Sequence, residues 1–66
     1  MPSNERLRVK RRLDQAVNLF EQGNVYIMEE GFKFKDVHDN YFQVFGMITM
    51  LVDQVITETK ALRDKI

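Results

Sequence analysis

The sequence predicts a mainly α fold: a helical hairpin that assembles into an oligomeric helical bundle. Three observations support this prediction. Apolar residues recur at three- and four-residue intervals in both outer parts of the chain. A segment of different composition, preceded by Gly23 and containing Gly31, separates these parts. The chain of 66 residues has no cysteine, so that a single small domain spanning residues 1–66 lacks a disulfide staple.

The first helix is predicted at about residues 4–22. Ser3 or Asn4 is expected to serve as its N-cap, because both side chains accept hydrogen bonds from free backbone N–H groups. Gly23 is expected to end the helix, because glycine most easily takes the left-handed conformation of a C-cap. The apolar stripe of this helix consists of Val9, Leu13, Ala16 and Phe20.

The segment at 24–35 is predicted to form a short β-hairpin or a loop. Residues 25–28 are rich in β-branched and aromatic side chains, and residues 32–35 alternate between phenylalanine and lysine. Gly31 fits the loop position that needs a positive φ. The alternative is a short helix over 24–30, because methionine and glutamate also favour helices.

A long second helix is predicted at about residues 37–65, with Asp36 as its cap and Asp39 in its first turn. Eight residues in it follow one another at intervals of four and three, a heptad pattern that only a threonine interrupts. These residues are Tyr41, Phe45, Ile48, Val52, Val55, Thr59, Leu62 and Ile66. Gly46 either allows a close helix contact or marks a kink.

Self-association follows from the predicted lengths and from the missing staples. A helix over 37–65 measures about 40–45 Å and one over 4–22 about 28 Å, so that the shorter helix leaves part of the longer one uncovered. His38 is the only histidine and cannot build a His-rich metal site. We therefore expect a homo-oligomer, a dimer or higher, with an interface formed by Tyr41, Phe45, Ile48, Val52, Val55 and Leu62.

Composition excludes several classes of function. No apolar run approaches the length of a membrane span, and neither an apolar signal segment nor a cleavage site follows the basic N-terminal residues. A cytoplasmic protein without membrane association is the expectation. Ser3 is the only serine, and no nucleophile–base pair, calcium loop or phosphate-binding glycine loop is present. We expect no enzyme, no catalytic or metal site and no cofactor.

Charge is unevenly distributed in a chain with a formal net charge of zero. Basic ends flank an acidic middle, a pattern that suits head-to-tail or antiparallel self-association as well as the binding of an anion. The sequence thus predicts a small non-enzymatic protein–protein interaction or regulatory module with a protein partner. The alternative is a small dimeric nucleic-acid-binding protein that uses the basic cluster Arg6–Arg12, with Arg8, Arg11 and Arg12 as the contact residues.

Overall fold

Two long helices pack side by side in opposite directions. The computed structural model describes residues 3–66, with side chains from residue 4 onward. Helix α1 spans Ser3–Phe32 and helix α2 spans Asp39–Lys65. Residues 33–37 form turns between the helices, and residues 3–66 contain no strand. The hairpin is 54 Å long and 15 by 10 Å across. The predicted helical hairpin is confirmed, and within residues 3–66 it is all-α.

The predicted β-hairpin at 24–35 is wrong, because α1 continues through Gly23 to Phe32. The alternative of a helix over 24–30 has the correct conformation. The reason is tertiary: a helix over these residues places Asn24, Ile27 and Gly31 on the side of α1 that packs against α2. That packing outweighs the preference of residues 25–28 for strands. Gly31 is helical and has no positive φ.

The start of α2 differs slightly from the prediction. Asp36 does not cap the helix; it takes φ 66° in the turn, a left-handed conformation that aspartate tolerates. His38 is the N-cap, with extended backbone, and its Nδ1 accepts a hydrogen bond of 3.4 Å from the N–H of Tyr41. Asp39 lies in the first turn, as predicted.

At the start of α1, Asn4 lies inside the helix rather than at its cap. Capping by Ser3 rests on a side chain outside the described part of the structure. The two helices have 30 and 27 residues, so that the expected mismatch in length does not exist. The argument for self-association from unequal helices is therefore wrong.

Each helix contributes one inner stripe with heptad spacing to the contact between them. On α1 and the following turn it consists of Leu13, Val17, Phe20, Asn24, Ile27, Gly31 and Phe34. On α2 it consists of Phe42, Phe45, Thr49, Val52, Ile56, Thr59 and Arg63. Val17 and Ile56, at 4% and 9% exposure, are the buried apolar residues of the described chain. The hairpin by itself therefore has a thin core.

The helices approach most closely beside the turn, at Gly31. A Cβ atom added to Gly31 would lie 2.7 Å from the Cβ of Phe45. The ring of Phe45 stacks on Phe34, with centroids 5.7 Å apart, and Phe34 meets Tyr41 edge-on at 5.3 Å. Missing side-chain volume at Gly31 lets the aromatic rings close this end of the hairpin.

Two glycine substitutions test this close approach. Gly46→Ala should raise the free energy of unfolding by about 0.5–1 kcal/mol, because alanine favours the helix and an added Cβ meets nothing within 4 Å. Gly31→Ala should lower it by about 1–2 kcal/mol, because the clash with Phe45 exceeds the same gain in helix propensity. Urea unfolding at one protein concentration measures both. Equal stabilisation by the two variants would contradict the close approach.

Candidate functional site

A second apolar stripe runs along α2, outside the contact with α1. It consists of Tyr41, Val44, Ile48, Leu51, Val55 and Leu62. The intervals are three and four residues, except where Glu58 takes one position of the pattern. Each member precedes a residue of the inner stripe by one, so that the stripe is rotated by about 100° around the helix axis. These side chains are between 38% and 58% exposed.

Helix α1 adds two large apolar side chains on the same side. Leu19 and Tyr26, at 67% and 66% exposure, each precede an inner-stripe residue by one. Because the helices are antiparallel, a rotation of the same sense from each inner stripe leads to the same side of the hairpin. Ala16 and Gly23 have the same relation to the inner stripe. We call the second stripe of α2 together with Leu19 and Tyr26 the apolar face.

The opposite side of the hairpin carries the polar contacts between the helices. Asp14 accepts a hydrogen bond of 2.7 Å from Arg63, and Glu21 pairs with Lys60 at 3.6 Å. Hydrogen bonds to Asp14 and then to Asp64 raise the pKa of Arg63, so that its charge persists at any ordinary pH. The carboxylate partners on α1, Asp14 and Glu21, each lie one position after an inner-stripe residue. The ion pairs lie on the part of this side that is remote from the turn, whereas nearer the turn the same side exposes Val25, Met28, Phe32 and Met50.

Asn24 is the buried polar residue of the inner stripe, at 5% exposure. Its Nδ2 donates to Oδ1 of Asp53 at 2.9 Å and, at 3.5 Å, to the carbonyl oxygen of Thr49. Its Oδ1 is buried and has no hydrogen-bond partner within the described residues. A polar residue in a helical seam of this kind fixes the register of the two helices at a cost in stability.

The residues of the predicted interface divide into two groups. Phe45 and Val52 belong to the inner stripe and pack within the chain. The other four, which are Tyr41, Ile48, Val55 and Leu62, lie on the apolar face. Sequence reasoning did not assign Val44 and Leu51 to the interface. The sequence nevertheless indicated these two residues, because both widen the apolar arc of α2 at the same heptad spacing.

Leu19 and Tyr26 were missed for another reason. With α1 predicted to stop before Gly23, Tyr26 lay outside that helix, and Leu19 lay at the edge of the predicted apolar stripe. The longer α1 puts the two residues seven positions apart on one side.

An apolar cleft of about 180 Å³ lies near the turn. Its lining comprises Met28, Gly31, Phe32, Phe42, Phe45, Gly46 and Thr49. A Cβ atom added to Gly46 would meet nothing within 4 Å, so that Gly46 makes no close helix contact within the chain. Its exposed backbone is part of the cleft wall.

The basic cluster lies at the end of the hairpin opposite the turn, which we call the open end. Arg8, Arg11 and Arg12 are exposed there. The pair Asp14–Arg63 puts these two residues level with each other, so that the first turns of α1 project beyond the level of Ile66. Within residues 3–66, the cations at 6–12 form no ion pair. Residues 3–12 and 60–66 together carry a formal side-chain charge of +6.

Membrane-spanning helices and metal clusters are both absent from the described residues. No helix among residues 3–66 is long and apolar enough to cross a membrane. No group of three histidine, aspartate or glutamate side chains in that range is arranged to hold a metal ion.

The fold and its surface define an all-α helical hairpin with many exposed apolar side chains, concentrated on one side of α2. Comparison of the chain with protein-family models, with curated proteins and with solved structures found no match.

Replacing Asn24 tests its role in the hairpin. Asn24→Leu should raise the free energy of unfolding by on the order of 1 kcal/mol, because leucine removes a buried acceptor without a partner and adds apolar burial. Asp53 is exposed and remains hydrated in the variant. Urea unfolding gives the free energy, and amide hydrogen exchange along both helices reports whether the register is still unique. A loss of stability would mean that the bond to Asp53 outweighs the cost of burying the amide.

Proposed function

We propose that this protein is a small non-enzymatic interaction module that self-associates by burying its apolar face. The single observation that supports this most is the second heptad stripe of α2, which has no partner within residues 3–66. Exposed apolar residues scattered singly are normal on protein surfaces, but a continuous stripe of them marks an interaction surface. From Tyr41 to Leu62 the stripe is about 32 Å long.

Total surface area supports the same proposal. The hairpin exposes 5452 Å². A compact monomer of 7.9 kDa is expected to expose about 4,400 Å². The excess of about 1,000 Å² is close to the roughly 800 Å² that each partner buries in a standard protein–protein interface. A second copy that buries about 800 Å² of each hairpin would remove most of this excess.

A charge in the middle of the apolar face tests self-association. We expect the unchanged protein at micromolar concentration to sediment as a dimer or higher species, with a melting temperature that rises with protein concentration. Leu51→Glu should weaken association at least about 100-fold, because it buries an unpaired carboxylate in the assembly. Leu51 is 58% exposed in the hairpin, so that the monomer should keep its helical circular dichroism.

Gln54→Glu is the matched control, because it adds the same charge on an exposed residue of the same helix outside the apolar face. It should sediment like the unchanged protein. Val52→Asp differs from both, since Val52 belongs to the inner stripe and its loss should unfold the hairpin itself. An unchanged protein that stays monomeric over the whole concentration range would sink the proposal.

Nucleic-acid binding by the open end is the second candidate function. The observation that favours it is the position of Lys60, Arg63 and Lys65, which the hairpin brings to the same end as the cluster at 6–12. Cations concentrated in this way attract phosphates and release their counterions. Unlike the cluster, Lys60 and Arg63 already pair with carboxylates of α1.

The triple variant Arg8→Gln, Arg11→Gln and Arg12→Gln tests this second function. Glutamine keeps a similar helix propensity, so that the fold and the sedimentation should persist, with stability changed by about 0.5 kcal/mol or less per site. Fluorescence anisotropy with duplex and single-stranded DNA at 50 and 200 mM salt measures binding. If the open end binds phosphates, affinity falls with salt in the unchanged protein, and the variant loses both affinity and salt slope. If the unchanged protein does not bind DNA at 50 mM salt, nucleic-acid binding by the open end is excluded.

A further inference from the structure

We infer that the apolar face packs against the apolar face of a second copy whose long axis is reversed, so that the open end of one copy lies beside the turn of the other. This inference rests on the proposed self-association and adds the orientation of the two copies. Two independent observations carry it: the unequal contributions of the two helices to the face, and the unequal charge of the two ends.

Symmetry limits how two such faces meet. Closed dimers of identical chains have a two-fold axis. If this axis runs along the helices, the copies are parallel and α2 of one copy lies over α1 of the other. If the axis lies across the helices within the interface, the copies are reversed, and α2 lies over α2 and α1 over α1. These are the two solutions in which the long axes of the hairpins stay aligned.

The distribution of apolar residues selects the reversed solution. The stripe on α2 has six exposed apolar side chains, whereas the corresponding positions of α1 hold two large ones, Leu19 and Tyr26. The other α1 positions are small or charged, namely Arg12, Ala16, Gly23 and Glu30. A parallel pair would cover the α2 stripe of each copy with this poorer surface. Only reversed copies bring the two α2 stripes together, while Ala16 and Gly23 allow the α1 helices to approach closely.

Charge selects the same solution. The open end carries +6, whereas residues 29–39 around the turn carry −2, with His38 neutral. Parallel copies would place two open ends of +6 side by side, which is unfavourable at ordinary ionic strength. Reversed copies place Lys60, Arg63 and Lys65 of each open end beside the partner's acidic turn. The projecting first turns of α1 then extend past that turn and lie away from the basic cluster of the other copy.

Distances between spin labels test the orientation without changing the apolar face. The chain has no cysteine, so that Asn40→Cys, Gln54→Cys and Ala61→Cys each give one labelled site. All three residues are exposed, are separated by multiples of seven, and lie on the side of α2 that faces away from α1. The stripe is centred near Leu51 and Val52, and the two-fold axis of a reversed pair passes near that level.

In the reversed pair, labels at 40 should be about 35–40 Å from their equivalents, labels at 61 about 30–35 Å, and labels at 54 less than about 20 Å. In a parallel pair all three distances should be similar, about 15–25 Å. Pulsed electron paramagnetic resonance measures the distances, and dilution with unlabelled protein shows that they join two copies. Circular dichroism and sedimentation of each labelled variant show that fold and assembly persist.

The outcomes separate the inference from the proposal beneath it. A short distance between labels at 54, with long distances at the two outer sites, supports reversed copies. Short distances at all three sites overturn the orientation and leave self-association intact. Absence of any dipolar signal in protein that sediments as a monomer overturns both the orientation and the proposed self-association.

Discussion

The structure depends on one geometric constraint: two packed helices can cover only one stripe of each other. Both helices carry apolar residues over a wider arc than that stripe. The inner stripes hide Val17 and Ile56 well, and leave most other apolar side chains partly exposed. A third layer is what larger domains use to cover such an arc, and residues 3–66 contain none. The exposed stripe of α2 and the large total surface are consequences of this constraint.

Within the constraint, a few contacts make the hairpin specific. Gly31 lets Phe45 and the neighbouring rings close the turn end. Asn24 and Asp53 fix the register near the middle, and the pair Asp14–Arg63 does so toward the open end. All the ion pairs between the helices are at least partly exposed, and such pairs contribute little free energy. Their value is directional, because they lie on one side of the hairpin and leave the other side apolar.

Stability and interaction are linked in such a molecule. A hairpin with two well-buried apolar side chains has little hydrophobic free energy to offset the conformational entropy of 64 described residues. Burial of the apolar face by another copy would stabilise the folded state by mass action. The proposed function and the stability of the fold would then come from the same surface. This is why substitutions on the apolar face and on the inner stripe are expected to differ: the first should affect assembly, and the second folding.

The sequence by itself determined the helical class, the position of α2 and the apolar heptad pattern along it. These features are local, because a helix repeats every 3.6 residues and the pattern of Tyr41, Ile48, Val55 and Leu62 is visible without any partner. Tertiary structure alone decided the fate of residues 24–32. Their side chains favour a strand locally, and they become helical because Asn24, Ile27 and Gly31 pack against α2. It also decided which of two adjacent stripes on α2 faces α1. Phe42, Thr49 and Ile56 follow Tyr41, Ile48 and Val55 by one residue and have the same spacing, so that periodicity cannot distinguish the two sets. The set of Phe42, Thr49 and Ile56 faces α1 because of the shape of α1 at Gly31 and its carboxylates at Asp14 and Glu21.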